Sequence, residues 1–269
     1  MAIVKIGVGC NVGAQVDGTQ HAAQVAATWI KKPDVMIVQN RQLGEDDHYL
    51  YVIKDVITQV QTHVKQSIDN DTFPLVIGGD HSIVMGSLPY KEDTLVVWID
   101  AHPDLNTFET SLTNHIHGMP LAHLLGHGDS RLLDVIAKPV LSDDQVVLLG
   151  IRDIDKKEQE FIDQHKLRVI DVKQSNDSII KELLDYAKNY KNIHISFDID
   201  SIDPEYAPGV STPVADGISV SLALDLLHGL FSTDKVISMD IVEFNPLVET
   251  RSTVNVLKQL VSVVEHYND

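Results

Sequence analysis

The segment DAHPDLN, residues 100–106, sets Asp100, His102 and Asp104 at alternate positions directly behind the apolar run TLVVWI. In an extended chain residues i, i+2 and i+4 project to one face, so the spacing predicts three side chains crowded at one end of a strand. Carboxylates that close repel unless positive charge lies between them, and a metal ion is the simplest candidate. Other apolar runs end in the same kind of residue. PLVIGG (74–79) leads into Asp80 and His81, IHISFDID (193–200) carries Asp198 and Asp200, and VISMDIV (236–242) leads into Glu243. His81, Asp100, His102, Asp104, Asp198 and Asp200 together offer two imidazoles and four carboxylates, too many for one tetrahedral zinc. Shared between two ions about 3.5–4 Å apart, they build the arrangement that makes a hydroxide nucleophile at neutral pH. Oxygen-rich ligation with some imidazole suits manganese.

The elements that must position these residues are short β-rich runs alternating with helical periodicities. Strands are expected at 3–8, 34–38, 74–79, 94–100, 145–151, 167–172, 193–200 and 235–241, and helices at 51–68, 177–190, 219–231 and 254–267. Strands that are nearly all apolar and alternate with helices read as a parallel sheet covered on both faces. The expectation is therefore a three-layer α/β/α fold with about eight strands, in a single domain over residues 1–269 without repeat or linker. In such sheets ligands bind beyond the carboxyl ends of the strands, where the four charged clusters above fall. A lone Asp after a strand is ordinarily a turn former or helix cap, and Asp80 and Asp203 are read that way. His115, His21, His48, His63 and His266 have no spacing that demands chemistry.

Composition narrows the function classes. Acidic residues outnumber basic ones 39 to 21, a net charge of -18, which repels phosphate backbones and draws cations to an acidic cleft. No nucleic-acid partner is expected, and without an apolar run of roughly 18 residues no membrane span either. Cys10 is the single cysteine, so neither an internal disulfide nor a thiolate metal cage is available, and a cytoplasmic protein is expected. Glu243, following an apolar strand at the same edge, is not read as a plain surface residue.

GGDHS (78–82), DAHPDLNT (100–107), HGMP (117–120), SFDIDSIDPEYAPGVSTP (196–213) and EFNP (243–246) resemble, in order and spacing, the signature blocks of the ureohydrolase family, which includes arginases and agmatinases. The resemblance covers about residues 75–250 and is strongest to the arginases. It implies a parallel eight-stranded sheet, two manganese ions per chain and hydrolysis of a guanidino group to urea and an amine, in a homo-oligomer, a trimer or hexamer. By matching position, the six residues above are the metal ligands, Asp104 bridges the ions and holds the hydroxide, and His117 relays a proton to the leaving amine. Glu243 matches the guanidinium clamp, and Thr212 joins the substrate-binding set. Asn106 and Thr113 match groups that meet the α-carboxylate of arginine, and Asp155 of GIRDID one that meets its α-amino group. Agmatine lacks the carboxylate, so L-arginine is the expected substrate, with agmatine or another ω-guanidino acid as the alternative. The sequence departs from arginases at Thr113, Asn114 and His115, where they carry Ser-Gly-Asn, and at Ser211 in GVSTP. A zinc deacetylase would need fewer ligands, and a non-catalytic metal-binding relative would have lost some; none is missing.

Overall fold

The computed structural model describes residues 1–28, 32–41, 47–89, 91–136, 140–249 and 251–268. Eight strands, β1 (Ile3–Gly9), β2 (Val35–Val38), β3 (Phe73–Ile77), β4 (Thr94–Ile99), β5 (Val146–Leu149), β6 (Arg168–Ile170), β7 (Asn192–Asp198) and β8 (Val236–Val242), form one sheet in the order β2-β1-β3-β8-β7-β4-β5-β6. All neighbours pair in parallel, as the apolar strand pattern predicts. Every residue of β3, β4 and β5 is buried, because both faces are covered.

Alternate side chains of each strand feed different layers. Leu95, Val97 and Ile99 pack with Leu183, Leu226, Leu230 and Leu257 of helices Asn176–Ala187, Val220–Phe231 and Arg251–Asn268. Val96 and Trp98 face the opposite layer, with Val52, Val56 and Val60 of helix Leu50–Asp69 and Ile162 of helix Lys156–His165. The expected three layers are therefore present. Chain order and spatial order differ in a way that matters for the site: β3, β8, β7 and β4, the four strands whose ends carry the charged residues, are contiguous at the centre of the sheet. No helix among the described residues is long and apolar enough to cross a membrane.

Candidate metal and substrate site

Each side chain reaches the carboxyl edge through a sharp turn. After β3, Gly78 and Gly79 take φ of 93° and 85°, and a Cβ on Gly78 would stand 2.9 Å from the Ala23 nitrogen and the Val8 oxygen, so glycine is required there. Asp80 then caps the next turn by accepting from Ser82 N at 3.1 Å and ties down the Gly13 N–H at 3.0 Å, which leaves His81 directed inward. Asp80 is thus the structural residue expected. Asp203 is likewise a turn residue, accepting from Glu205 N and Gly217 N.

The DAHPD segment differs from the expectation of three residues along one strand. β4 ends at Ile99, Asp100 Oδ1 accepts from His102 N at 2.7 Å, and Asp104 adopts φ 52° while its carbonyl receives Leu121 N and Ala122 N. The turn, rather than a strand's alternation, brings the side chains together, and it separates His102 from Asp104. Asp100 and His81 group with Asp104, whereas Asp100 and His102 group with Asp200, the ligand atoms of each group lying within 4.8 Å of one another. Asp198 Oδ2 adds to the first group, 3.2 Å from His81 Nδ1. Asp100 is the carboxylate common to both groups, and Asp104 belongs to the first alone.

Three carboxylate oxygens, from Asp100, Asp104 and Asp198, lie 3.0, 3.0 and 3.2 Å from His81 Nδ1, yet that buried nitrogen makes no hydrogen bond among the described residues. A ring nitrogen aimed between oxygens instead of at one of them fits a shared cation. The electrostatics agree. Burial opposes a proton on His102, but Asp100 and Asp200 outweigh it and raise its pKa to about 12; His81 is raised well above its usual value by its three carboxylates despite burial. Asp104 is pushed up to about 6 by burial and the Asp100 charge, and Asp198 well above its usual value by burial, Asp200 and Asp100.

Beside these groups lies a cleft of about 260 Å3 lined by His81, His102, Asp104, His117, Asp198, Thr212 and Glu243 and by the residues expected to read the outer end of the substrate, Asn106, Thr113 and Asp155. Glu243, at φ 61° just past β8, accepts from His81 N at 2.8 Å and pairs with His117 Nδ1 at 3.1 Å through the same oxygen, Oε1. Its Oε2 is buried and has no hydrogen-bond partner among the described residues. Burial lowers the His117 pKa, but the Glu243 hydrogen bond and charge raise it to about 9.

The substrate-binding candidates are more committed than expected. Thr212 Oγ1 donates to Asp200 Oδ2 at 3.0 Å, so its hydroxyl steadies a ligand carboxylate. Asp155 caps helix Lys156–His165, accepting from Lys157 N and Glu158 N, while its other oxygen receives Asn106 Nδ2 at 2.8 Å. Thr113 is exposed, its hydroxyl within reach of His115 N. Glu158, unanticipated, lines the same cleft and is raised by burial to about 8; Asp155-x-x-Glu158 is a capping box that marks both in the sequence. Arg152 places all its donors on the backbone oxygens of Gly150, Asp200, Ser201, Val214 and Ala215.

This sheet, with two imidazoles and four carboxylates gathered at the edge of its four central strands, defines a parallel α/β protein with a candidate metal site. The sequence profile of the arginase family matches residues 11–264, and the chain belongs to that family. An arginase of Staphylococcus aureus (strain COL) is 38% identical over 225 residues, 79% of this chain and 72% of the relative. The crystal structure of arginase from Bacillus cereus matches with a TM-score of 0.90 at 31% identity over 98% of both chains. Entamoeba histolytica arginase, solved in complex with L-ornithine, matches with a TM-score of 0.88 at 28% identity over 98% of both.

Proposed function

We propose that the protein is a metal-dependent arginase that hydrolyses the guanidino group of L-arginine to urea and L-ornithine. The observation that carries this reading is the pair of buried orphan atoms, His81 Nδ1 and Glu243 Oε2, one suited to a cation's coordination and the other to a guanidinium N–H. A guanidinium is resonance-stabilised and stays protonated at ordinary pH, so its carbon is a poor electrophile. His81, Asp100, His102, Asp104, Asp198 and Asp200 would hold two manganese ions, which would supply Lewis acidity and bring the pKa of water toward neutrality. The chain's own residues do the rest. Glu243 Oε2 accepts from the guanidinium and holds its plane at the ligand cluster. Its Oε1 anchors His117 Nδ1, which leaves His117 Nε2 to deliver a proton to the departing amine. A pKa of about 9 keeps that proton in place at neutral pH.

Arginine is favoured over agmatine because Asn106, Thr113 and Asp155 line the cleft, where a carboxylate and an ammonium find a hydroxyl, an amide and an anionic oxygen. The relative solved with L-ornithine supports an amino-acid product. One catalytic domain over residues 1–269, a cytoplasmic setting and a homo-oligomeric trimer or hexamer belong to the same reading. The test is urea release from manganese-loaded protein with arginine, agmatine and shorter and longer guanidino acids. Arginine should lead; faster agmatine turnover would move the assignment to agmatinase, and no urea from any substrate with both ions bound would make the protein a non-catalytic relative.

A further inference from the structure

Beneath the ligand cluster runs a fully buried polar chain that the reaction does not touch. His81 Nε2 lies 2.9 Å from Ser196 Oγ, Ser196 Oγ donates to Asp240 Oδ1 at 2.8 Å, and Asp240 Oδ2 receives Ser87 Oγ at 2.5 Å and His194 Nε2 at 3.0 Å. His194 Nδ1 in turn pairs with Ser238 Oγ at 2.7 Å. Asp240, His194 and Ser196 have no exposed surface.

We infer that Asp240 is a positioning residue that decides which ring nitrogen of His81 carries the proton, acting through Ser196, so that Nδ1 is left bare toward a metal ion. A hydroxyl has one proton to give. A carboxylate accepting three hydrogen bonds claims the Ser196 proton, and the Ser196 oxygen then has only a lone pair to offer His81. The ring must answer with Nε2–H. Nδ1, the orphan atom facing Asp100, Asp104 and Asp198, is then the nitrogen whose lone pair is offered to a cation that takes the proton's place. The direction is set at the far end too: with Nε2–H on Asp240, His194 Nδ1 takes the Ser238 hydroxyl. Burial alone would raise the Asp240 carboxyl, but the His194 hydrogen bond and charge hold it below its usual value, so it remains an acceptor. Trp98, stacked on His81 at 4.2 Å and 12°, fixes the ring plane but cannot choose between its nitrogens. Groups that orient a ligating histidine in this way commonly change metal affinity 10–100-fold.

This rests on the two-ion reading of the cluster. The experiment titrates Mn2+ into metal-free protein, following the free ion by electron paramagnetic resonance and the heat by calorimetry. Asp240→Asn removes the charge and offers Ser196 a competing donor. It should weaken the ion held by His81 by 10–100-fold and leave the ion held by His102 within about threefold. The same substitution in a Ser196→Ala background should add less than about threefold, because the route to His81 is already cut. Equal losses in both backgrounds, or none in the first, overturn the inference. Should Asp240→Asn fail to fold, Ser196→Ala alone must weaken the His81 ion selectively, and unchanged affinity there overturns it equally. A parent that takes up two ions while the variants bind as tightly refutes only this inference. A parent that takes up none removes the metal reading and this inference together.

Discussion

Asp155 separates a structural role from a binding one, and the two can be taken apart by choice of substituent. Its Oδ1 accepts the Lys157 and Glu158 N–H groups at 2.7 and 3.0 Å, and its Oδ2 receives Asn106 Nδ2. Asp155→Ala strips a helix cap, worth about 1 kcal/mol of stability, and frees Asn106, so any kinetic loss would be confounded. Asp155→Asn retains the capping oxygen, since Asn caps about as well as Asp, and should change stability by less than about 0.5 kcal/mol. Its amide nitrogen would face that of Asn106, which can turn over because Thr110 Oγ1, its other partner at 2.8 Å, both donates and accepts. What disappears is the negative charge beside the substrate ammonium. A hydrogen bond to a charged group contributes about 1.5–3 kcal/mol, so kcat/KM for arginine should fall roughly 10- to 150-fold. Agmatine, whose amine sits on a carbon without the carboxylate that fixes its position, should lose much less. The assay is urea release with both substrates, alongside a denaturant midpoint. An arginine kcat/KM within about twofold of the parent in a stably folded variant, or equal losses for both substrates, would show that Asp155 is only a cap.

Because Asp100 belongs to both ligand groups and Asp104 to one, Asp100→Asn should lose both ions and Asp104→Asn only one, counted by atomic absorption; one full equivalent retained in Asp100→Asn would contradict the sharing. His117→Asn should keep both ions and lose about 10²-fold or more in turnover. The parent's histidine, raised to about 9, is charged below that pH and loses its proton as pH rises through it, so an alkaline limb in the parent's rate profile near 9 should vanish in the variant, and its persistence would remove His117 from that limb. Glu158, raised by burial to about 8, binds a proton in the fold that the unfolded chain releases near 4.5. Its contribution to stability is complete below about 4.5 and lost as pH rises through about 8. Glu158→Gln should flatten the fall in melting temperature between pH 6 and 9, and parallel curves for parent and variant would refute the shift.

The strands and the four long helices were readable because a sheet buried on both faces demands uninterrupted apolar runs and its covering helices demand a 3.6-residue period. The helix Lys156–His165 was not read: its residues KKEQEFIDQH are mostly polar, and only Phe161 and Ile162 point to a buried face. Asp155, considered as a substrate contact, concealed the capping signal that Glu158 completes. The gathering of six candidate ligands at one edge was legible from residue type at strand ends, but their division between two groups was not, since that depends on Asp104 at φ 52°, a backbone choice no spacing rule reveals. Nor could periodicity show that Ser196 and Asp240, on neighbouring β7 and β8 and paired in register, meet beneath His81.

The carboxyl ends of β3, β4 and β7 each give ligands to one small volume, although 119 positions of chain separate His81 from Asp200. No unfolded chain gathers such dispersed groups, so ions held by these residues would bind the folded form alone and their affinity would add directly to its stability. In this sense each ion is a removable cross-link, a clasp closed across the middle of the sheet. Chelation would open the clasp without cutting the chain. The loops beyond β3, β4 and β7 then become the first segments to exchange amide protons and the first open to a protease, while the helical layers stay shut.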